Sequence, residues 1–379
     1  MEPLSLLIFW CLRFINFSIR TAFSPILPLI EDSLSLSHGE AGGLVTTFSI
    51  GYGLSLLVTG RFASAWGYKR TVTMGFAGVG LIYFVLQWVQ SYSAFHIIFF
   101  LIGYTSGAYI PAVIPIITET YGSKHWGKAI GVHDSAASFS LFAIPILVTF
   151  GLHFFHWRRL LLILGIAALV LPICFWKVSV EPKQEKLQQR GCYLELFRKK
   201  STWIMGLIWI LPSACCNGIY SILTLYLVKE RGIPFDYATT MIGISSAGAI
   251  FVTILSGFLA DRFGYKKILT MSIFATGLAT LALSLASTVP LILVSLILQV
   301  NLSCTFFPVA TAAISKIAPL SERSLATGVI ISIGMIFGTG VTPFFLGVIA
   351  DHLNFQTGIF GLGILTIFSS LAVRLLKET

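Results

Sequence analysis

Three polar side chains share one face of the first apolar stretch of the sequence. Arg13 and Arg20 are seven residues apart and Asn16 lies four residues before Arg20, so a helix of 3.6 residues per turn places all three on one side. An arginine near the centre of a bilayer costs roughly 2.5 kcal/mol or more unless it meets water or a partner. Guanidinium groups bind carboxylates and phosphates through paired hydrogen bonds. The spacing therefore predicts contact with an anionic substrate, chiefly through Arg20.

Each arginine also has a simpler interpretation. Arg13 can extend its charged end to the inner interface of the membrane while its stem stays in the apolar region. Arg20 can pair with an acid on the fifth apolar stretch. Both alternatives explain the charge without a substrate.

The dipeptide His133-Asp134 lies in that fifth stretch, and Asp134 is the acid that we place inside a membrane span. Buried acids and histidines carry protons in pumps and transporters, so this pair predicts proton coupling. A static ion pair of Asp134 with Arg13 or Arg20 explains the acid equally well. One acid can also serve both roles at different steps of a cycle.

The rest of the composition indicates the elements that hold these residues. Hydrophobic residues make up 56% of the 379 residues and charged residues 11%, against roughly 25% charged in soluble domains. Apolar runs of roughly 20 residues, enough to cross a hydrocarbon core about 30 Å thick, recur along the chain. We predict an all-α membrane protein whose twelve helices span about 6–30, 41–60, 71–89, 94–118, 128–153, 157–176, 202–228, 237–259, 268–287, 291–315, 325–350 and 355–373.

The distribution of basic residues predicts the orientation of these helices. Lys and Arg concentrate in alternate connections, which places both termini in the cytoplasm and the protein in the inner (plasma) membrane. This asymmetry accounts for the net charge of +10, so no nucleic-acid partner is expected; the bilayer is the expected surroundings. No basic region and no small-residue cleavage site accompany the first apolar run, which we therefore interpret as a retained helix.

A repeated motif divides the predicted helices into two sets of six. GRFASAWGYKR at Gly60–Arg70, which we predict as an inner loop from Arg61, is echoed by GFLADRFGYKK at Gly257–Lys267. The same offset of about half the chain matches further pairs: Pro111 with Pro308, Ala129 with Ala326, and Gly131 with Gly328. We predict an N-terminal bundle over 1–176, a cytoplasmic linker over 177–200 and a C-terminal bundle over 201–379, with a binding site between the bundles.

The second copy of the motif resembles the major facilitator superfamily of secondary transporters, whose signature after helices 2 and 8 reads roughly Gly-x-x-x-Asp-Arg-x-Gly-x-Lys/Arg-Lys/Arg. The segment GKAIG at Gly127–Gly131 is also similar to the family. The resemblance implies two pseudo-symmetric six-helix bundles and transport by alternating access. The first copy departs from the signature, because Ser64 and Ala65 stand where the acid and the base are expected.

The resemblance also implies roles for the motif residues. Asp261 would hold a cytoplasmic gate closed by accepting hydrogen bonds at the N-terminal end of a neighbouring helix, near Lys128. The implied gating residues are Gly257, Asp261, Arg262, Gly264, Lys266 and Lys267, with Gly60 and Gly67 in the first copy. Setting the topology is a sufficient role for the two lysines.

In this superfamily helices 1, 4, 7 and 10 line the substrate cavity, and in this sequence they are rich in polar side chains. The resulting substrate-binding candidates, besides the three on helix 1, are Tyr104, Tyr109, Asn217, Gln299 and Asn301. Their alternative role is hydrogen bonding between helices.

We thus predict a monomeric secondary transporter of a small organic anion, coupled to protons or a counter-anion. No pattern indicates a cofactor, a metal site or catalytic residues, so we expect no enzyme. Proton-driven export of drugs or amphiphiles is the alternative transporter, although the segment at Ala143–Val148 lacks the Gly-Pro-x-x-Gly-Gly pattern typical of such antiporters. A membrane sensor that binds a solute without moving it is the alternative of another class.

Overall fold

The described residues contain twelve apolar helices long enough to cross a membrane, as predicted. The computed structural model describes residues 3–121, 125–182, 196, 198–317 and 323–376. In chain order the helices are α1 Leu4–Leu34, α2 His38–Trp66, α3 Tyr68–Trp88, α4 Tyr92–Tyr121, α5 Gly127–Leu152, α6 Trp157–Val178, α7 Lys200–Glu230, α8 Phe235–Phe263, α9 Tyr265–Leu285, α10 Val289–Ile314, α11 Leu325–His352 and α12 Phe355–Leu375. Most of the predicted linker, 183–195 and 197, lies outside the described residues.

The helices are longer than their apolar cores, and this corrects the predicted inner loops. Arg61–Trp66 continues α2 and α3 begins at Tyr68, so the connection is reduced to Gly67. Gly264 alone connects α8 to α9 in the same way. Hydropathy marks the part of a helix inside the membrane, whereas the backbone hydrogen bonds continue into the polar residues beyond it.

Prolines interrupt several helices. A turn separates Pro3–Thr21 from Phe23–Leu34 within α1, since Pro25 has no N–H to donate to the Thr21 carbonyl. Similar breaks at Ala108 in α4 and Thr305 in α10 precede the matched residues Pro111 and Pro308. Three further segments are π-helical: Ala214–Gly218, Tyr226–Glu230 and Gly334–Gly340.

The helices divide into two compact units. The first comprises Met1–Leu34 and Thr47–Leu187, and the second Ser35–Thr46 and Gln188–Thr379. Within the first unit α1 packs chiefly on α5 and α3 on α6; within the second, α9 packs on α12 and α7 on α11. The elements that carry Arg13, Arg20, His133 and Asp134 thus belong to one unit.

Glycines allow α2 and α4 to pack backbone to backbone in the first unit. A Cβ atom at Gly103 would overlap the Phe48 carbonyl oxygen, and one at Gly107 would lie 2.7 Å from the Tyr52 carbonyl oxygen. The Gly103–Gly107 spacing predicts such packing, and the structure confirms it. Only a residue without a side chain fits this crossing.

Gly103→Ala is therefore expected to destabilise the protein by roughly 1–3 kcal/mol, because the obstacle is backbone and cannot rotate away. Gly131→Ala in α5 is the matched control, since nothing lies within 4 Å of a Cβ atom there. The control should be neutral or more stable, by up to about 1 kcal/mol of helix propensity. Thermal unfolding of the purified protein in detergent measures both, and equal melting temperatures would contradict the assigned crossing.

Candidate substrate and proton site

Four predicted site residues form one chain of contacts inside the first unit. The Arg13 Nε atom on α1 lies 3.3 Å from Oδ1 of Asp134 on α5. The same carboxylate oxygen is 3.1 Å from Nδ1 of His133, and His133 Nε2 is 2.9 Å from the Tyr109 hydroxyl on α4. Three helices therefore supply a guanidinium, a carboxylate, an imidazole and a phenol in sequence. We call these residues the Arg13–Tyr109 chain.

Within this chain the side chain of Asp134 is the most exposed, and those of His133 and Tyr109 are buried. The Asp134 side chain is 52% exposed, that of Arg13 is 14% exposed, and that of His133 is fully buried. A charged carboxylate within a membrane span is tolerated where its exposed part meets water rather than lipid. Asp134 is thus the member that a proton or a polar solute can reach, and His133 lies behind it.

The hydrogen bonds in the chain can hold an added proton. An ionised Asp134 accepts from His133 Nδ1–H, and in the neutral imidazole Nε2 then accepts from the Tyr109 hydroxyl. When the imidazole is doubly protonated, Nε2 donates and the Tyr109 oxygen accepts. Both contacts survive the change, because the phenol can act in either direction.

The Asp134 ion pair answers one question that the sequence leaves open. Among the described residues, the charged or hydrogen-bonding partners of Asp134 are Arg13 and His133, so its pair does not include Arg20. Arg13 is thereby held at the acid. This geometry is compatible both with a static pair and with a pair that opens when Asp134 is protonated.

Arg20 lies near the middle of α1, in the last turn before the break at Ala22. Its side chain is half-buried, and its guanidinium carbon lies 4.3 Å from the centre of the Phe17 ring. Asn16 is buried, and its amide donates to the Ser106 carbonyl on α4 at 2.9 Å. Asn16 thus joins α1 to α4.

Polar residues that the predictions did not include also join α1 to α5. Trp10 Nε1 donates to the Ser135 hydroxyl at 3.2 Å, beside Asp134. The buried Ser140 hydroxyl lies 3.1 Å from that of Ser18 and 2.9 Å from that of Thr21. His133 and Ser140 are seven residues apart, or about two helical turns, so they lie on the same face of α5. This spacing could have predicted that the Ser140 hydroxyl also faces α1.

The remaining predicted substrate residues have other recorded surroundings. Tyr104 is 40% exposed, and its ring stacks on Phe100. In the second unit Gln299 is buried and donates to the Cys215 carbonyl at 2.7 Å, and the Asn301 amide donates to the Ser245 carbonyl at 2.8 Å. Asn217 lies in the π-helical segment Ala214–Gly218. Their substrate contacts stay predictions.

Glycine is essential to each motif copy at the turn. Gly67 has a φ of 106° and Gly264 a φ of 86°, a region that residues with a Cβ atom rarely adopt. Gly60 and Gly257 lie inside α2 and α8, with nothing within 4 Å of a Cβ atom built at either position. The motif therefore produces a one-residue turn between two helices in both units.

The charged residues of the second motif copy lie on the surface of the second unit. Asp261 is exposed and, among the described residues, makes no hydrogen bond or ion pair within that unit. Arg262 and Lys267 both lie over the Phe263 ring, at 5.4 and 5.8 Å from its centre, and Lys266 is half-buried. A gating partner of Asp261 stays a prediction.

An acid from elsewhere supports the first motif copy. Glu181, just after α6, accepts hydrogen bonds from the backbone N–H groups of Tyr68 at 2.6 Å and Lys69 at 3.1 Å. Gly67 precedes α3 and has no side chain to cap it, so the Glu181 carboxylate takes that role. The Lys69 ammonium in turn donates to the Trp176 and Ser179 carbonyls. The sequence motif alone could not indicate this acid, because Glu181 lies far from it in the chain.

Glu181→Ala is expected to lower the stability of the protein by about 1 kcal/mol, since two N–H groups at the start of α3 lose their acceptor. Glu119→Ala, which removes an exposed acid at the end of α4, is the matched control and should be near neutral. Thermal unfolding of both variants in detergent tests this cap. Equal stabilities would mean that the carboxylate does not stabilise the helix.

Comparison with known proteins decides the family. The family model of the Major Facilitator Superfamily matches residues 9–255 and 214–379, which together include nearly the whole chain. The chain belongs to the Major Facilitator Superfamily. The members of this family are secondary transporters and not enzymes. Both the predicted family and the prediction of a transporter instead of an enzyme are therefore confirmed.

Individual relatives in this superfamily have low sequence identity to the chain, but several align with most of it. The chain is 26% identical to the uncharacterized MFS-type transporter YuxJ of Bacillus subtilis, over 91% of each protein. It is 22% identical to the hexuronate transporter of Bacillus subtilis, over 95% of this chain and 90% of that protein. The membrane sensor protein UhpC of Escherichia coli K12 is 23% identical over 68% of this chain and 64% of that sensor.

Solved structures support the same fold. A bacterial homologue of the human lysosomal transporter Spinster, in an inward-facing and occupied conformation, matches with a TM-score of 0.82. The match covers 98% of this chain and 95% of that one, at 16% sequence identity. At this identity the likeness concerns the fold alone, and it agrees with the predicted twelve-helix architecture.

Proposed function

We propose that this transporter carries a small organic anion across the membrane by alternating access, coupled to protons. The observation that chiefly supports the proposal is the Arg13–Tyr109 chain, in which an accessible carboxylate contacts both a guanidinium and a buried imidazole. Ionisable groups within membrane spans are rare and commonly belong to substrate or proton pathways. The Arg13–Tyr109 chain contains three such groups, Arg13 on α1 and His133 and Asp134 on α5.

The proposed proton step depends on the charge of Asp134. When the carboxylate takes a proton it becomes neutral, and its attraction for Arg13 at 3.3 Å falls. Arg13 is then available to an anion, while His133 keeps the protonated Asp134 side chain hydrogen-bonded. A static ion pair would keep Arg13 engaged at every step, so the two alternatives differ in their response to Asp134→Asn.

Arg20 is the proposed substrate contact. It is half-buried near the middle of α1, and its guanidinium group can bind a carboxylate or phosphate of the substrate through paired hydrogen bonds. The relative named as a hexuronate transporter carries a sugar acid by its name, and this favours a carboxylate substrate here. We therefore propose sugar acids and related carboxylates as the first substrates to test.

A solute sensor is the second candidate function, because one relative is named as a membrane sensor. Sensor and transporter both bind a solute, but only a transporter exchanges it across a bilayer. Counterflow of a labelled ligand into proteoliposomes preloaded with the same unlabelled ligand separates the two. Binding without counterflow would favour the sensor.

The ligand class can be tested by stabilisation of the purified full chain. A ligand that binds the folded state at 100 times its Kd stabilises that state by about 2.7 kcal/mol. Hexuronates, other organic acids, sugar phosphates, neutral sugars and cationic drugs should each be screened by thermal shift. Stabilisation by carboxylates is expected, and stabilisation by cationic drugs alone would contradict the anion assignment and favour export of amphiphiles.

A further inference from the structure

A cleft of about 360 Å³ opens between α3 and α6 on the surface of the first unit. We call it the α3–α6 cleft. It is separate from the Arg13–Tyr109 chain, which uses α1, α4 and α5. Its lining includes Thr73 and Ala77 from α3 and Leu169, Ile173, Trp176 and Lys177 from α6.

Small residues on the two helices explain the shape of the cleft. At Gly80 the helices are in contact, since a Cβ atom there would lie 2.7 Å from the Gly165 carbonyl oxygen. One turn earlier, Ala77 is too small to fill the space between the helices. The second half of the chain carries Phe274 at the position matching Ala77. The α3–α6 cleft thus depends on Ala77, which phenylalanine replaces in the second half of the chain.

The lining is apolar and faces outward over most of its length. Ile173 is 62% exposed and Trp176 is 46% exposed, which for a membrane-spanning helix indicates contact with lipid. Tryptophan is enriched where the hydrocarbon region meets the polar headgroups. The cleft therefore extends inward from a headgroup level that Trp176 marks.

Thr73, one of the residues that line the cleft, carries a hydroxyl without a recorded partner. The Thr73 hydroxyl is buried and, among the described residues, makes no hydrogen bond. The matching residue in the second half, Thr270, donates its hydroxyl to the Lys266 carbonyl at 2.9 Å. A buried hydroxyl without a partner is costly, so a ligand in the cleft that supplies an acceptor would stabilise this group once the Thr73 side chain rotates toward it.

Lys177 lines the cleft, and Arg70 lies three residues before Thr73 on the same face of α3. Lys177 and Arg70 are exposed, and within the described residues neither is held by a hydrogen bond or an ion pair. The nearby acid, Glu181, is already bound by the N–H groups of Tyr68 and Lys69. Lys177 and Arg70 thus remain for a ligand. The distribution of basic residues predicts that this side of the membrane is cytoplasmic.

We propose that the α3–α6 cleft binds one anionic phospholipid of the cytoplasmic leaflet. Lys177 and Arg70 contact its phosphate, the Thr73 hydroxyl donates to an ester carbonyl, and one acyl chain fills the space beside Ala77. Thr73 lies three residues after Arg70, or about 4.5 Å deeper along the helix, which matches the order of phosphate and ester groups in a lipid. Basic pockets between membrane helices at the cytoplasmic side suit anionic headgroups.

The test titrates the delipidated full chain, in a neutral maltoside detergent, with dioleoyl phosphatidylglycerol and with dioleoyl phosphatidylcholine. Native mass spectrometry counts the bound lipids, and thermal unfolding reports stabilisation. One phosphatidylglycerol should be retained in preference to phosphatidylcholine. Lys177→Gln should weaken its binding about fivefold, since one basic residue at a membrane surface contributes on the order of 1 kcal/mol. Ala77→Phe, which copies Phe274, should remove it.

Lys267→Gln, at the start of α9 in the second unit, is the matched control and should bind phosphatidylglycerol as the unmodified protein does. Equal binding of phosphatidylglycerol and phosphatidylcholine would overturn the charge assignment. Unchanged binding in both Lys177→Gln and Ala77→Phe would overturn the site. Lys177→Gln alters one exposed side chain and is expected to fold. Its phosphatidylglycerol binding therefore tests the site even if Ala77→Phe does not fold.

Discussion

Replacing Asp134 with asparagine is expected to abolish proton-driven accumulation while leaving substrate exchange. Asparagine preserves the shape of the side chain but neither takes up a proton nor carries a negative charge. A gradient of one pH unit is worth about 1.4 kcal/mol per proton, so an electroneutral carrier that couples one proton to one anion accumulates its substrate roughly tenfold. In Asp134→Asn the inside and outside concentrations should become equal.

Accumulation of a labelled hexuronate in proteoliposomes, with and without a pH gradient, measures this effect. Asp236→Asn is the matched control, because Asp236 is an exposed acid in the first turn of α8 and does not belong to the Arg13–Tyr109 chain. The control should retain the roughly tenfold gradient. Full accumulation in Asp134→Asn would establish that the Arg13 pair is structural and that the proton travels elsewhere.

Arg20→Gln is expected to weaken anion binding by roughly 10- to 100-fold, which corresponds to the 1.5–3 kcal/mol typical of a hydrogen bond to a charged group. Glutamine keeps most of the length and a donor but removes the charge. Arg20→Lys should restore part of the affinity, because it returns the charge without the bidentate geometry. Equilibrium binding of the labelled hexuronate to purified protein measures the change.

Arg159→Gln is a suitable control for the loss of one positive charge, since Arg159 lies at the start of α6 and not in α1. It should leave binding unchanged. Equal affinities for the unmodified protein and Arg20→Gln would show that Arg20 has a structural role, with the Phe17 ring as one of its contacts.

Hydropathy was sufficient for the architecture because each helix must satisfy its own backbone inside a bilayer. The same principle explains where the prediction failed. Backbone hydrogen bonding does not stop at the membrane surface, so Arg61–Trp66 is helical although its composition suggested a loop. The one-residue turn at Gly67 became visible only from its positive φ.

The candidate site was predictable in its residue types but not in its pairing. Depth within an apolar run identifies Asp134 and the arginines as unusual, yet the choice of Arg13 over Arg20 depends on the rotation of α1 against α5. The Tyr109–His133 contact depends similarly on how α4 meets α5. The π-helical segment at Ala214–Gly218, whose Cys215 carbonyl accepts from Gln299, has no signature in hydropathy.

Proton movement with the substrate is the most direct measure of the proposed function. Proteoliposomes that contain a pH-sensitive dye should show acidification of the lumen when a hexuronate is added outside, because each entering anion brings a proton. Asp134→Asn proteoliposomes should show no such acidification. Uptake of the labelled anion without any change in lumenal pH would contradict proton coupling and indicate exchange for a counter-anion.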